Sequence, residues 1–138
     1  MKPIFQKLTL FSAIVTVGLS AGAALAQPTA QTPLSEPVQR SGSVNPQRST
    51  NCGFLPNQPV QNLQVNEDFA SLDISVTGDS GITLYIEGGN GFMECFTTDN
   101  LSGSSIDAPG LLNRGSYSFY VGNNNQVTTN YSLTIRQN

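Results

Sequence analysis

The stretch Ile82 to Cys95, ITLYIEGGNGFMEC, decides the fold. Ile82, Leu84 and Ile86 alternate with Thr83, Tyr85 and Glu87, the two-residue period of a strand with one face turned to a core. Gly88-Gly89-Asn90-Gly91 supplies the positive-φ residues that a tight turn needs. Phe92 to Thr97 then returns as the second strand of a hairpin. Cys95 is in phase with Met93 and Thr97 rather than with Phe92 and Phe96, so both faces of this return strand are expected to be partly covered.

The same pattern runs outward in both directions. Upstream, Val60 to Val65 is a short strand behind Pro56 and Pro59, and Leu72, Ile74 and Val76 alternate with Ser71, Asp73 and Ser75. Thr77-Gly78-Asp79-Ser80-Gly81 is a turn. Downstream, Asn100 to Ser105 is polar, and Asn113-Arg114-Gly115 is a turn into Ser116 to Val121, where Tyr117, Phe119 and Val121 share a face. Asn123-Asn124-Asn125 reads as a loop tip, and Asn130 to Arg136 as a last strand burying Tyr131, Leu133 and Ile135. Short strands with turn signals between them, and no segment of period 3.6, predict an all-β sandwich.

With 138 residues there is room for one domain. Met1 to Ala26 has the parts of a secretory signal: Lys2 and Lys7, an apolar run from Leu8 to Leu19, and Ala24 and Ala26 before Gln27. A transmembrane anchor is the alternative, but Thr9, Ser12 and Thr16 interrupt a run shorter than the roughly 20 residues of a bilayer span. Residues 27–50, with four prolines and many Gln, Ser and Thr, are expected to be a disordered linker or a tethering arm. The sandwich is expected over residues 51–138, and the chain in the periplasm or outside the cell, with no membrane insertion after the signal is cut.

Charge and composition narrow the function. Without the signal, four arginines face nine acids, four minus nine, or −5. A chain with so few cations and no basic run cannot neutralise many phosphates, which argues against nucleic acid and anionic lipid. Histidine is absent, and with it the commonest general base and every Ser/His or Cys/His arrangement. Gly103-Ser104-Ser105 and Gly115-Ser116-Tyr117 are not nucleophile elbows. The chain is therefore read as no enzyme. In an oxidising compartment Cys52 and Cys95 are expected to pair. In the chain-entropy model, closing that loop contributes about 4 kcal/mol.

A family resemblance emerges from the succession Leu72-x-Ile74-x-Val76, Leu84-x-Ile86-x-Gly88-Gly89-x-Gly91, Cys95, Leu112-Asn113-x-Gly115-x-Tyr117-x-Phe119-x-Val121-Gly122 and Tyr131-x-Leu133-x-Ile135. It resembles the bacterial pre-peptidase C-terminal domain, in particular the stand-alone exported versions of cyanobacteria, over most of Asn51 to Asn138. The resemblance implies a jelly-roll-like antiparallel sandwich, usually an accessory to secreted hydrolases with proposed roles in substrate binding, secretion or solubility. Family members often carry adjacent acids after the strand that holds the cysteine. Here Thr97-Thr98-Asp99 offers one.

Two kinds of residue are left as candidates for a site. A calcium site assembled from separate loops would draw on Asp79, Asp99 and Asp107, although no D-x-[DN]-x-[DN]-G loop is present. Tyr85 and Tyr120 fall on the phase opposite the core, where exposed rings could stack on a sugar or pack on a protein. Each ring could equally cover a neighbouring side chain. The reading is a non-catalytic binding or accessory module with a polysaccharide or protein partner. The alternative is a structural subunit that pairs its sheet edge with a larger secreted protein.

Overall fold

The computed structural model describes residues 29–98 and 103–138. Nine strands lie among them: β1 (Thr29–Gln31), β2 (Val38–Val44), β3 (Arg48–Thr50), β4 (Gly53–Leu55), β5 (Gln61–Gly78), β6 (Ile82–Gly88), β7 (Met93–Thr97), β8 (Ser105–Asn123) and β9 (Thr129–Gln137). The signal expected over Met1 to Ala26 lies outside the described residues.

Two long strands organise the molecule. β5 and β8 pair antiparallel along nearly their whole length, with a register shift between Val65 and Phe69. Opposite that bulge, Gly115 takes a φ of 152°, a backbone region where a side chain is strained. Both strands bend at this point and pass from one layer to the other. Beyond the bend, β5 carries β9, and β9 carries β2. Before it, β5 carries β1, while the C-terminal half of β8 carries β6, and β6 carries β7.

The inner faces of these two layers meet in one apolar cluster. Leu72, Ile74, Val76, Leu112, Leu133 and Ile135 come from one layer, and Leu63, Ile82, Leu84, Ile86, Phe119 and Val121 from the other, each at most 2% exposed. The β-sandwich expected from strict alternation is thus what the chain forms. At about 25 cal/mol per Å² of apolar surface, these side chains dominate the driving force for folding.

The strand boundaries differ from expectation in two places. Gln61 to Gly78 is one bulged strand rather than two, because Asn66, Glu67 and Asp68 are absorbed by the bulge. The turn expected at Asn113-Arg114-Gly115 is instead strand, continuous with Ser105 to Leu112 before it. Pro109 sits there opposite Asp73, in the half of β8 that forms a sheet edge, where the missing N–H breaks no ladder.

The larger correction concerns residues 27–50, expected to be a disordered linker. From Thr29 onward this stretch contributes β1, β2 and β3 to the sheet. β1 runs parallel to β5, a departure from the all-antiparallel expectation. β2 follows β9 in unbroken register, from Val38 opposite Ile135 to Val44 opposite Thr129. Val44 joins the core and Ala30, Leu34 and Val38 pack against it, and polar side chains supply further anchors. Buried Thr32 donates its hydroxyl to Glu67 and accepts from the Asn66 N–H at 2.9 Å. Gln137 donates to Glu67 at 3.2 Å and accepts from the Leu34 N–H at 2.7 Å. Arg40 Nε donates to buried Gln61 Oε1 at 2.8 Å.

Candidate functional site

The outer face of β6 and of the C-terminal half of β8 is where the two unexplained tyrosines meet. Tyr85 stands directly opposite Tyr120 on one side and Cys95 on the other. Facing residues of antiparallel strands share a side, so all three point away from the core. The two rings lie 5.9 Å apart, centroid to centroid, and tilt by 49°. Both are half-buried.

The β3–β4 hairpin folds over one end of this face. Leu55, 1% exposed, packs beside Gly122, where an added Cβ would come within 2.7 Å of Leu55 Cδ2 and 2.2 Å of the Phe54 carbonyl oxygen. Gly53, at a φ of 76°, makes the turn between the two strands. Cys52 is buried at that turn and joins Cys95, with Cα atoms 5.6 Å apart. The expected disulfide therefore ties the hairpin to β7, which has β6 as its one strand partner among the described residues. Under the hairpin, the Thr83 hydroxyl is buried without a hydrogen bond among the described residues.

The staple brings a cation into the site. Arg48, on β3, holds its guanidinium 5.7 Å from the centre of the Tyr120 ring, within the range of a cation–π contact. A groove of about 320 Å³ opens between Arg48, Thr50, the disulfide, Tyr85, Glu87 and Met93. Burial pushes the Tyr120 phenol above its ordinary pKa, the Glu87 carboxylate raises it further, and Arg48 opposes them. The phenol is thus held neutral, with its O–H available as donor and acceptor. The Tyr85 ring, a guanidinium and the Glu87 carboxylate line this groove, with Tyr120 beside it against Tyr85, and such a set can stack against a pyranose face and bond its hydroxyls.

Tyr85 and Tyr120, the residues read from the sequence, are brought together. Arg48 escaped that reading because it lies in the stretch taken for a linker. Two of the three aspartates expected for calcium are described. Asp79 accepts the Asn130 N–H at 2.7 Å in the turn after β5, whereas Asp107 sits within β8 opposite Ser75. Asp99 lies outside the described residues. Among the described residues, no three carboxylate or cysteine side chains cluster as metal ligands. Tyr117 is buried and donates its hydroxyl to the Asn113 carbonyl at 2.8 Å, and Tyr131 packs against the core while remaining half-exposed.

No protein-family model and no curated protein matches the chain. A solved structure does. The chain is similar to the pre-peptidase C-terminal domain of a collagenase from Bacillus anthracis. The two share 16% identity at a TM-score of 0.48, over 80% of this chain and 96% of that one. The chemistry of the groove rests on this chain's own residues.

Proposed function

We propose that the chain is an exported, non-catalytic accessory module that binds carbohydrate of the cell envelope or its surroundings through the Tyr85–Tyr120 face. The observation that carries this reading is the tyrosine pair itself, 5.9 Å between ring centres on an outward sheet face with Arg48 over one ring. Paired aromatic rings on a rigid sheet offer stacking area at small entropic cost. The disulfide suits an oxidising compartment. A depletion assay on insoluble polysaccharides tests the reading. Wild-type protein leaves solution with at least one polysaccharide, and Tyr85→Ala stays behind. Equal depletion of the two proteins would refute the assignment.

One observation favours a second reading, that of a structural subunit. β2 closes its layer with β9 as its one strand partner among the described residues. Its outer edge therefore offers main-chain groups along Val38 to Val44 to a strand from another chain. Size-exclusion chromatography separates the two readings, since edge pairing between copies yields concentration-dependent dimers and sugar binding does not.

A further inference from the structure

The tyrosine pair is one end of a longer polar strip. On the same outward face, Glu87 stands opposite Ser118, and Ser118 opposite Asn62. One row further along the strands, Ser116 stands opposite Gln64. Side chains from β6, β8 and β5 therefore form a band across the sheet, with β7 and β1 at its ends. Three adjacent strands are two spacings of about 4.8 Å, so the band is roughly 10 Å wide across the sheet, and from Tyr120 to Ser116 it runs about 14 Å along β8, enough for a short run of pyranose rings.

The band is organised before any ligand arrives. Ser118 Oγ donates to Asn62 Oδ1 at 2.9 Å, and the Ser116 hydroxyl donates to Gln64 Oε1 at 2.5 Å. Asn62, Gln64 and Ser118 are half-buried and Ser116 is exposed, so the hydroxyls and amides form a nearly flat surface rather than a fringe of mobile side chains. Amides and hydroxyls both donate and accept, as sugar hydroxyls do.

Charge decides the class of sugar. In the band and the groove that adjoins it the charged side chains are Glu87 and Glu94 against Arg48, and the protein carries a formal net charge of −3. A polyanionic glycan would meet repulsion from the local and the overall negative charge. From this we infer that the band Glu87–Ser118–Asn62–Ser116–Gln64 is an extended subsite for an uncharged polysaccharide. The chain of sugars runs obliquely from the Tyr85–Tyr120 pair, along β8 and over to β5. This inference rests on the carbohydrate reading of the tyrosine face and adds residues, direction and ligand class to it.

Titration calorimetry of the protein with the disaccharide and hexasaccharide of cellulose, laminarin and chitin tests the inference, with oligogalacturonate as the acidic counterpart. The wild type binds one neutral hexasaccharide at least about tenfold more tightly than its disaccharide, and binds oligogalacturonate more weakly. Asn62→Ala loses this length advantage while its disaccharide affinity stays. Ser116→Ala with Gln64→Ala, at exposed and half-buried positions, does the same, and thermal melting verifies that each variant is folded. Equal affinity for short and long chains, an advantage retained in both variants, or preference for the acidic oligosaccharide would overturn the extended subsite and leave the tyrosine face standing. Absence of binding of any sugar by the wild type would overturn the carbohydrate reading as well, and that result is read without the variants.

Discussion

The guanidinium of Arg48 lies 5.7 Å from the centre of the Tyr120 ring, although 71 residues of chain separate the two. Three features hold it there: the Cys52–Cys95 bridge, Leu55 seated beside Gly122, and the turn at Gly53. The site is thus a composite of the sandwich and a hairpin clamped onto its outer face.

That relationship fixes the titration of Tyr120. Burial first, and Glu87 second, raise its pKa, and Arg48 lowers it. Arg48→Ala should therefore move the phenol titration upward and Glu87→Gln downward. Ring-carbon NMR shifts followed through alkaline pH would report both directions. A downward shift in the Arg48 variant would place the cation elsewhere.

Loss of the disulfide should cost about 4 kcal/mol in the chain-entropy model. Because the bridge clamps the hairpin, the double variant Cys52→Ala and Cys95→Ala should also expose Tyr120. Urea unfolding gives the first quantity, and acrylamide quenching of tyrosine fluorescence the second, with no tryptophan present to mask it.

Gly122 leaves no room for a side chain, since a Cβ would lie 2.2 Å from the Phe54 carbonyl oxygen. Gly122→Ala should push β4 off the sheet and destabilise by roughly 1–3 kcal/mol. At neighbouring Thr83, the buried hydroxyl without a hydrogen bond among the described residues predicts the opposite sign. Thr83→Val keeps the shape, removes the unpaired group, and should raise stability by about 1 kcal/mol. Melting temperatures of the two variants should fall on opposite sides of the wild type.

Glu67 links stability to acid. The Thr32 hydroxyl bond, with smaller help from Gln137, holds its carboxyl below the ordinary glutamate range despite partial desolvation. A carboxyl depressed in the folded state contributes stability above its unfolded pKa and loses it as pH falls through the folded value. Thr32→Val should therefore flatten the decline in the urea midpoint between neutral pH and pH below 4.5. An unchanged decline would show that the bond carries no linkage.

What could be seen in the sequence follows from which forces leave a pattern. Leu72, Ile74 and Val76, or Ile82, Leu84 and Ile86, record burial in their alternation, and Tyr85 and Tyr120 were legible as its exceptions. Thr29 to Thr50 leaves no such record. Its strands are held by main-chain bonds to β5, β9 and β4 and by Thr32, Arg40 and their polar partners, which composition cannot distinguish from a solvated linker. Arg48 was hidden for the same reason. The polar band escaped notice because Asn62, Gln64, Ser116 and Ser118 become neighbours only through the pairing of β5 with β8. Deleting residues 29–44 should accordingly lower the melting temperature sharply, whereas removal of a true spacer would leave it unchanged.

The most direct measurement of the central claim is a titration of protein carrying ¹³C-labelled tyrosine rings with the polysaccharide it retains. Four tyrosines give four sets of ring signals. The account predicts that those of Tyr85 and Tyr120 shift on binding while those of Tyr117 and Tyr131 stay in place. Shifts confined to Tyr131, or no shift in any ring at saturating ligand, would contradict it.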